Sequence, residues 1–129
     1  MKKIMISLMI CLLLCMSIPV TAFAGTDYYQ GEFTITHYCP CKKCCGKNPW
    51  DKGYGITATG TIATEGRTIA VSPSVIPYGS QVYIEGYGWY IAEDCGGAIK
   101  GKKIDVFVAS HHKALQLGKK KAVVWVRKV

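Results

Sequence analysis

The sequence is short of acid. Eight Asp and Glu stand against 16 Lys and Arg in 129 residues, a formal net charge of +8. Such a balance favours an anionic partner: a wall polymer, a lipid headgroup or nucleic acid. Internal repeats and low-complexity stretches are also missing, which excludes a solenoid or a disordered tail. The long apolar run, Ile4 to Val20, is broken by Ser7, Ser17 and Pro19 and is short for a membrane-spanning helix.

That run has another explanation. Lys2 and Lys3 precede it, and Ala22-Phe23-Ala24 follows as a small-x-small cleavage site. Residues 1–24 therefore read as a secretory signal of bacterial style, leaving 25–129 as one exported domain. Removing Lys2 and Lys3 leaves 14 Lys and Arg against 8 Asp and Glu, a net of +6. Outside a wall-bearing cell the abundant anionic partner is the wall itself. Contact with the membrane is expected only in passing, through the signal.

Five cysteines remain after the signal. Cys39, Cys41, Cys44 and Cys45 crowd one loop, 39–55, and Cys95 follows Asp94. Export argues for disulfides. The C-x-x-C spacing of Cys41 and Cys44 suits zinc, with the whole cluster, Cys39, Cys41, Cys44 and Cys45, as candidate ligands and His37 as a further one. His111 and His112 open a helix and read as exposed. An odd count leaves one thiol over in any pairing scheme.

Short alternating segments follow one another: Glu32–Tyr38, Arg67–Val71, Gln81–Ile84, Gly88–Ala92, Ile104–Val108 and Ala122–Val129, with Ile56–Thr61 extended. Pro77 and Gly79 mark a turn. Ser110 caps a short helix over His111–Leu117, which Gly118 stops. Six or seven short strands and one helix predict an all-β domain, closed into a small barrel that leaves no exposed edge.

Two aspartates bracket a glycine-rich turn in E-D-C-G-G-A-I-K-G-K-K-I-D-V-F, residues 93–107. A strand, a turn and a second strand would bring Asp94 and Asp105 to the ends of neighbouring strands. Close carboxylates do not both ionise easily, so one keeps its proton and can act as a general acid. The alternative is a turn whose aspartates bond backbone amides.

The blocks G-I-T-A-T-G (55–60), T-I-A-V-S-P-S-V-I-P-Y-G-S (68–80), A-E-D-C-G-G-A-I-K-G (92–101), I-D-V-F (104–107) and A-L-Q-L-G (114–118) resemble the 3D domain. That domain is similar to the catalytic core of MltA-type lytic transglycosylases. The resemblance implies a six-stranded double-psi β-barrel and an exported peptidoglycan-cleaving enzyme acting on glycan strands. Beside it stand the expectations of a monomer, of no nucleic-acid partner, and of no cofactor unless the cysteine cluster holds zinc. It places Asp105 as general acid/base and Asp94 as its support. Ser72 stands where the family often has a further aspartate, which leaves a non-cleaving glycan-binding module on the same barrel as the alternative. Candidate substrate contacts are Thr59, Gly60, Lys47, Lys100, Ser72 and Tyr38, with Thr36 beside Tyr38. Trp50, Tyr87, Trp89 and Tyr90 are candidates to stack on sugar rings.

Overall fold

The computed structural model describes residues 28–128; the expected signal and its cleavage site lie outside the described residues. Six strands form a closed barrel: β1 (Tyr28–Tyr38), β2 (Thr68–Ala70), β3 (Gln81–Ile84), β4 (Gly88–Asp94), β5 (Lys103–Phe107) and β6 (Lys120–Arg127). Around the ring the order is β1-β5-β2-β4-β3-β6. Two pairs are parallel, β1 with β5 and β2 with β4, and the rest are antiparallel. This is the expected all-β barrel.

Alternation explains which side chains fill it. Phe33 and Ile35 point inward from β1, Val82 and Ile84 from β3, and Val124 and Val126 from β6; all are buried. Ile69 and Ile104 complete the packing. Each such side chain contributes about 1.5–3 kcal/mol on burial. A second, smaller apolar cluster of Tyr38, Ala70, Ile99 and Phe107 lies at one end of the barrel.

Two elements differ from the sequence expectation. Residues 56–61 form no strand; one isolated bridge, Ile56 to Ile62, is all that pairs there. The reason is Thr57. Its hydroxyl lies within hydrogen-bond distance of the Thr59 and Thr61 hydroxyls and accepts from the Thr61 amide. Gly60, at φ +85°, completes the turn. Side-chain bonds of this kind compete with a ladder. The cysteine loop contains a single helical turn, α1 (Lys42–Cys45), closed by Gly46 at φ +71°. The predicted helix is present as α2 (His111–Leu117), and the Ser110 hydroxyl accepts from the Lys113 amide. Among the described residues no helix is long and apolar enough to cross a membrane.

Candidate functional site

Asp94 ends β4 and Asp105 sits in the middle of β5. The strands are not neighbours, contrary to the sequence expectation: β2 runs between them. Ala70 on β2 pairs with Asp105 on one side and with Asp94 on the other. A methyl group is all that β2 places between the two carboxylates.

A bulge decides which acid of β4 takes this place. Ile69 pairs with Ala92, and the next residue, Ala70, pairs with Asp94, so Glu93 is the extra residue. A bulged strand re-aims its side chains. Glu93 turns into the structure, where it is 3% exposed. There it accepts from the Arg67 guanidinium (2.8 and 3.1 Å) and the Thr68 hydroxyl (2.9 Å). Asp94 is left to face the cleft.

The two carboxyls have different surroundings. Asp94 accepts from the Tyr38 hydroxyl at 2.7 Å and from the amides of Ala58 and Cys95 at 2.9 Å each. Asp105 accepts from the Thr36 hydroxyl at 2.9 Å. Burial pushes the Asp105 carboxyl above the usual carboxylate range; the Thr36 bond and the charges of Lys103 and His37 oppose this, and Asp94 adds a smaller upward push. Repulsion was expected to lead; burial leads instead. Tyr38 is held as a phenol, first by burial and then by its bond to Asp94.

Both carboxyls open into one cavity of about 320 Å³, at the small end of the range of about 300–1,000 Å³ usual for ligand pockets. Tyr38, Ala70 and Phe107 form its barrel side, and Pro40, Cys44 and Lys47 its loop side. Lys47 also donates to the Gly53 carbonyl at 3.2 Å. The other sequence candidates lie elsewhere. Thr59 and Gly60 belong to the turn whose Ala58 amide bonds Asp94, outside the cavity lining. Lys100 is exposed on the turn before β5. Ser72 is buried, with its hydroxyl 3.2 Å from that of Ser74. Trp50 and Trp89 are exposed and Tyr87 and Tyr90 half-buried, all off this cavity.

The cysteines also depart from expectation. Among the described residues all five cysteines are free and no disulfide is present, whereas export led to an expectation of disulfides. Cys39, Cys41 and Cys44 come together, but Cys45 does not join them: its thiol turns to the Cys39 carbonyl. The fourth member is His111, with all four ligand atoms within 4.8 Å of one another. This Cys3His group could hold a metal ion. His37 is engaged elsewhere, with its ring nitrogens 2.9 Å from the Gly118 carbonyl and 2.9 Å from the Tyr87 hydroxyl. Sequence reasoning missed His111, because it lies 72 positions from Cys39 and no local spacing connects them.

Residues 67–128 match the model of the 3D domain. Over that stretch, just under half of the sequence, the chain is similar to the 3D domain. Its match begins at Arg67, so β1 and the cysteine loop lie before it. Two proteins of Bacillus subtilis (strain 168) are similar in sequence. The cell wall-binding protein YocH is 53% identical over 75 residues, 56% of this chain and 26% of that protein. YabE, whose name assigns it provisionally to cell wall shaping, is 51% identical over 69 residues, 51% of this chain and 17% of that protein. The chain thus spans about a quarter or less of these relatives. In fold, it is similar to the lytic transglycosylase MltA of Escherichia coli, with a TM-score of 0.50 and 23% identity over 57% of this chain and 27% of MltA.

Proposed function

We propose that this chain is an exported lytic transglycosylase that remodels bacterial peptidoglycan. The observation that carries the reading is the state of Asp105: a carboxyl pushed upward by burial, opening into a cavity that it shares with a second carboxyl held by three donors. A general acid needs its proton at the working pH. The names of the wall-binding and wall-shaping relatives support a peptidoglycan substrate and an extracytoplasmic site.

An ordinary glycosidase needs two working carboxyls, one as acid and one as base or nucleophile. A lytic transglycosylase takes its nucleophile from the substrate. The Asp105 carboxyl gives its proton to the glycosidic oxygen between N-acetylmuramic acid and N-acetylglucosamine, and the bond to the muramyl anomeric carbon breaks. Positive charge grows on that ring, and Asp94, which lines the same cavity, is in reach to stabilise it. The ionised Asp105 then removes the proton of the muramyl 6-hydroxyl, whose oxygen closes onto the anomeric carbon. A 1,6-anhydromuramyl end forms, water is not consumed, and Asp105 regains its proton. Tyr38 and Thr36 position the two carboxyls. Lys47 lies on the loop wall where it can meet a lactyl or peptide carboxylate.

A second reading keeps the barrel and drops the chemistry: a glycan-binding module that loosens the wall without cutting it. Ser72 in place of a further aspartate favours it, as does the name of the wall-binding relative. Mass spectrometry of purified glycan strands after incubation separates the two. Anhydro ends support the transglycosylase. Reducing ends point to hydrolysis, and bound but intact strands to the binding module.

A further inference from the structure

The meeting of Cys39, Cys41, Cys44 and His111 is not needed by the reaction above. Cys39 follows the last residue of β1 and is buried, Cys41 immediately precedes α1, Cys44 lies within it, and His111 opens α2. The barrel core is complete without any of them. Their common feature is the space they surround.

His111 Nδ1 lies 3.7 Å from the Cys39 sulfur, 3.4 Å from that of Cys41 and 3.5 Å from that of Cys44. One imidazole nitrogen cannot serve three thiols as a hydrogen-bond partner. It can cap three sulfurs as the apex of a tetrahedron. Metal–sulfur bonds of about 2.3 Å and metal–nitrogen bonds of about 2.05 Å give tetrahedral edges of about 3.6–3.8 Å. The Cys39–Cys44 edge, 3.6 Å, agrees. The Cys39–Cys41 edge, 2.9 Å, has to open by less than an ångström. It is also far longer than a disulfide bond of about 2.05 Å.

We propose that Cys39, Cys41, Cys44 and His111 form a closed tetrahedral site for a thiophilic divalent cation of the zinc type, which ties the cysteine loop and α2 to the end of β1. Three thiolates and a neutral imidazole fill all four positions, the pattern of a structural rather than a catalytic metal. The consequence for the cleft follows from chain order. Tyr38, whose hydroxyl bonds Asp94, precedes the first ligand directly, and Cys44 belongs both to the site and to the cavity wall. The metal would hold the loop side of the cavity against the barrel side. Metal binding itself does not depend on the transglycosylase reading.

The test is titration of the full chain, purified under reducing conditions, with Co(II), followed by competition with Zn(II). The expected result is one equivalent bound per chain, with the intense visible bands of tetrahedral thiolate-ligated cobalt, bleached by zinc. His111→Ala and Cys44→Ser should each weaken Co(II) binding about a hundredfold or more, since even the loss of a group behind a ligand costs about 10–100-fold. Cys45→Ser and His37→Ala should bind as the parent does. Circular dichroism of each variant reports whether the barrel persists; the ligand pair should lose metal with the β signal intact. Three results would overturn the site: no cobalt uptake, wild-type affinity in folded His111→Ala, or a dependence on Cys45 in place of Cys44. A disulfide among Cys39, Cys41 and Cys44 in the purified protein, found by mass spectrometry with no metal bound, would overturn it equally.

Discussion

Asp94 and Asp105 are both in register with Ala70, from opposite sides. Two strand spacings of about 4.8 Å set their backbones about 10 Å apart. The smallest chiral side chain keeps the gap between them open. The site is therefore a matter of three strands, not of the glycine-rich turn that joins two of them.

If Asp105 cycles a proton, Asp105→Asn removes the cycle while leaving shape and size almost unchanged. Cleavage should fall by about 10²–10⁴-fold. The formation of anhydro ends, measured by mass spectrometry against time, checks this. Turnover within a few-fold of the parent would sink the assigned role.

The same variant should be no less stable at neutral pH, and more stable if burial sets the pKa. The folded-state pKa of Asp105 is raised. Its contribution to stability is therefore full below the unfolded pKa of Asp and is lost as pH rises through the folded value. Asn escapes that loss. Thermal melts of parent and variant should run together in acid below the unfolded pKa, part as pH rises from there to the folded pKa of Asp105, and stay apart above it. A constant difference across that window would contradict the burial argument.

Asp94→Asn tests the ranking of causes. Removing its charge should move the alkaline fall of activity to slightly lower pH, because Asp94 adds a little to a shift that burial dominates. The rate should drop without vanishing. A displacement that returned Asp105 to the ordinary carboxylate range would make repulsion the main cause.

Ala70→Leu should fill the space between the carboxyls. Ala70 is buried and lines the cavity. Overpacking of this kind costs about 1–3 kcal/mol, and binding of glycan strands should weaken more than the melting temperature suggests. Sedimentation with purified peptidoglycan measures the first and calorimetry the second. Unaltered binding in a folded variant would show that substrate does not enter between Asp94 and Asp105.

Most of the barrel was legible in the chain. Alternation such as Phe33, Ile35 and Val124, Val126 marks inward faces directly, and Ser110 with Gly118 bounds α2. What could not be read was set by partners far away. The threading of β2 between β4 and β5 has no local signature, so Asp94 and Asp105 seemed to stand on adjacent strands. The bulge at Glu93 exists because Arg67 and Thr68 receive its carboxylate. Thr57 turned an extended stretch into a loop through hydroxyl bonds that composition does not announce. In the cysteine loop, spacing pointed to the neighbours Cys45 and His37, and the fold supplied His111 instead.

The seam of the ring has a bearing on when the cleft comes into being. β6, the final strand, pairs with both β1 and β3. Thr36 and Tyr38 meet Asp105 and Asp94 across separations of 69 and 56 positions. Pairings so distant in the chain make folding slow compared with helical proteins of similar size. A chain threaded outward from its amino end cannot close this ring until residues 120–127 have emerged. On the proposal that the chain is exported, the hydrogen bonds that poise its carboxyls are then acquired on the far side, at the place where the proposed substrate lies.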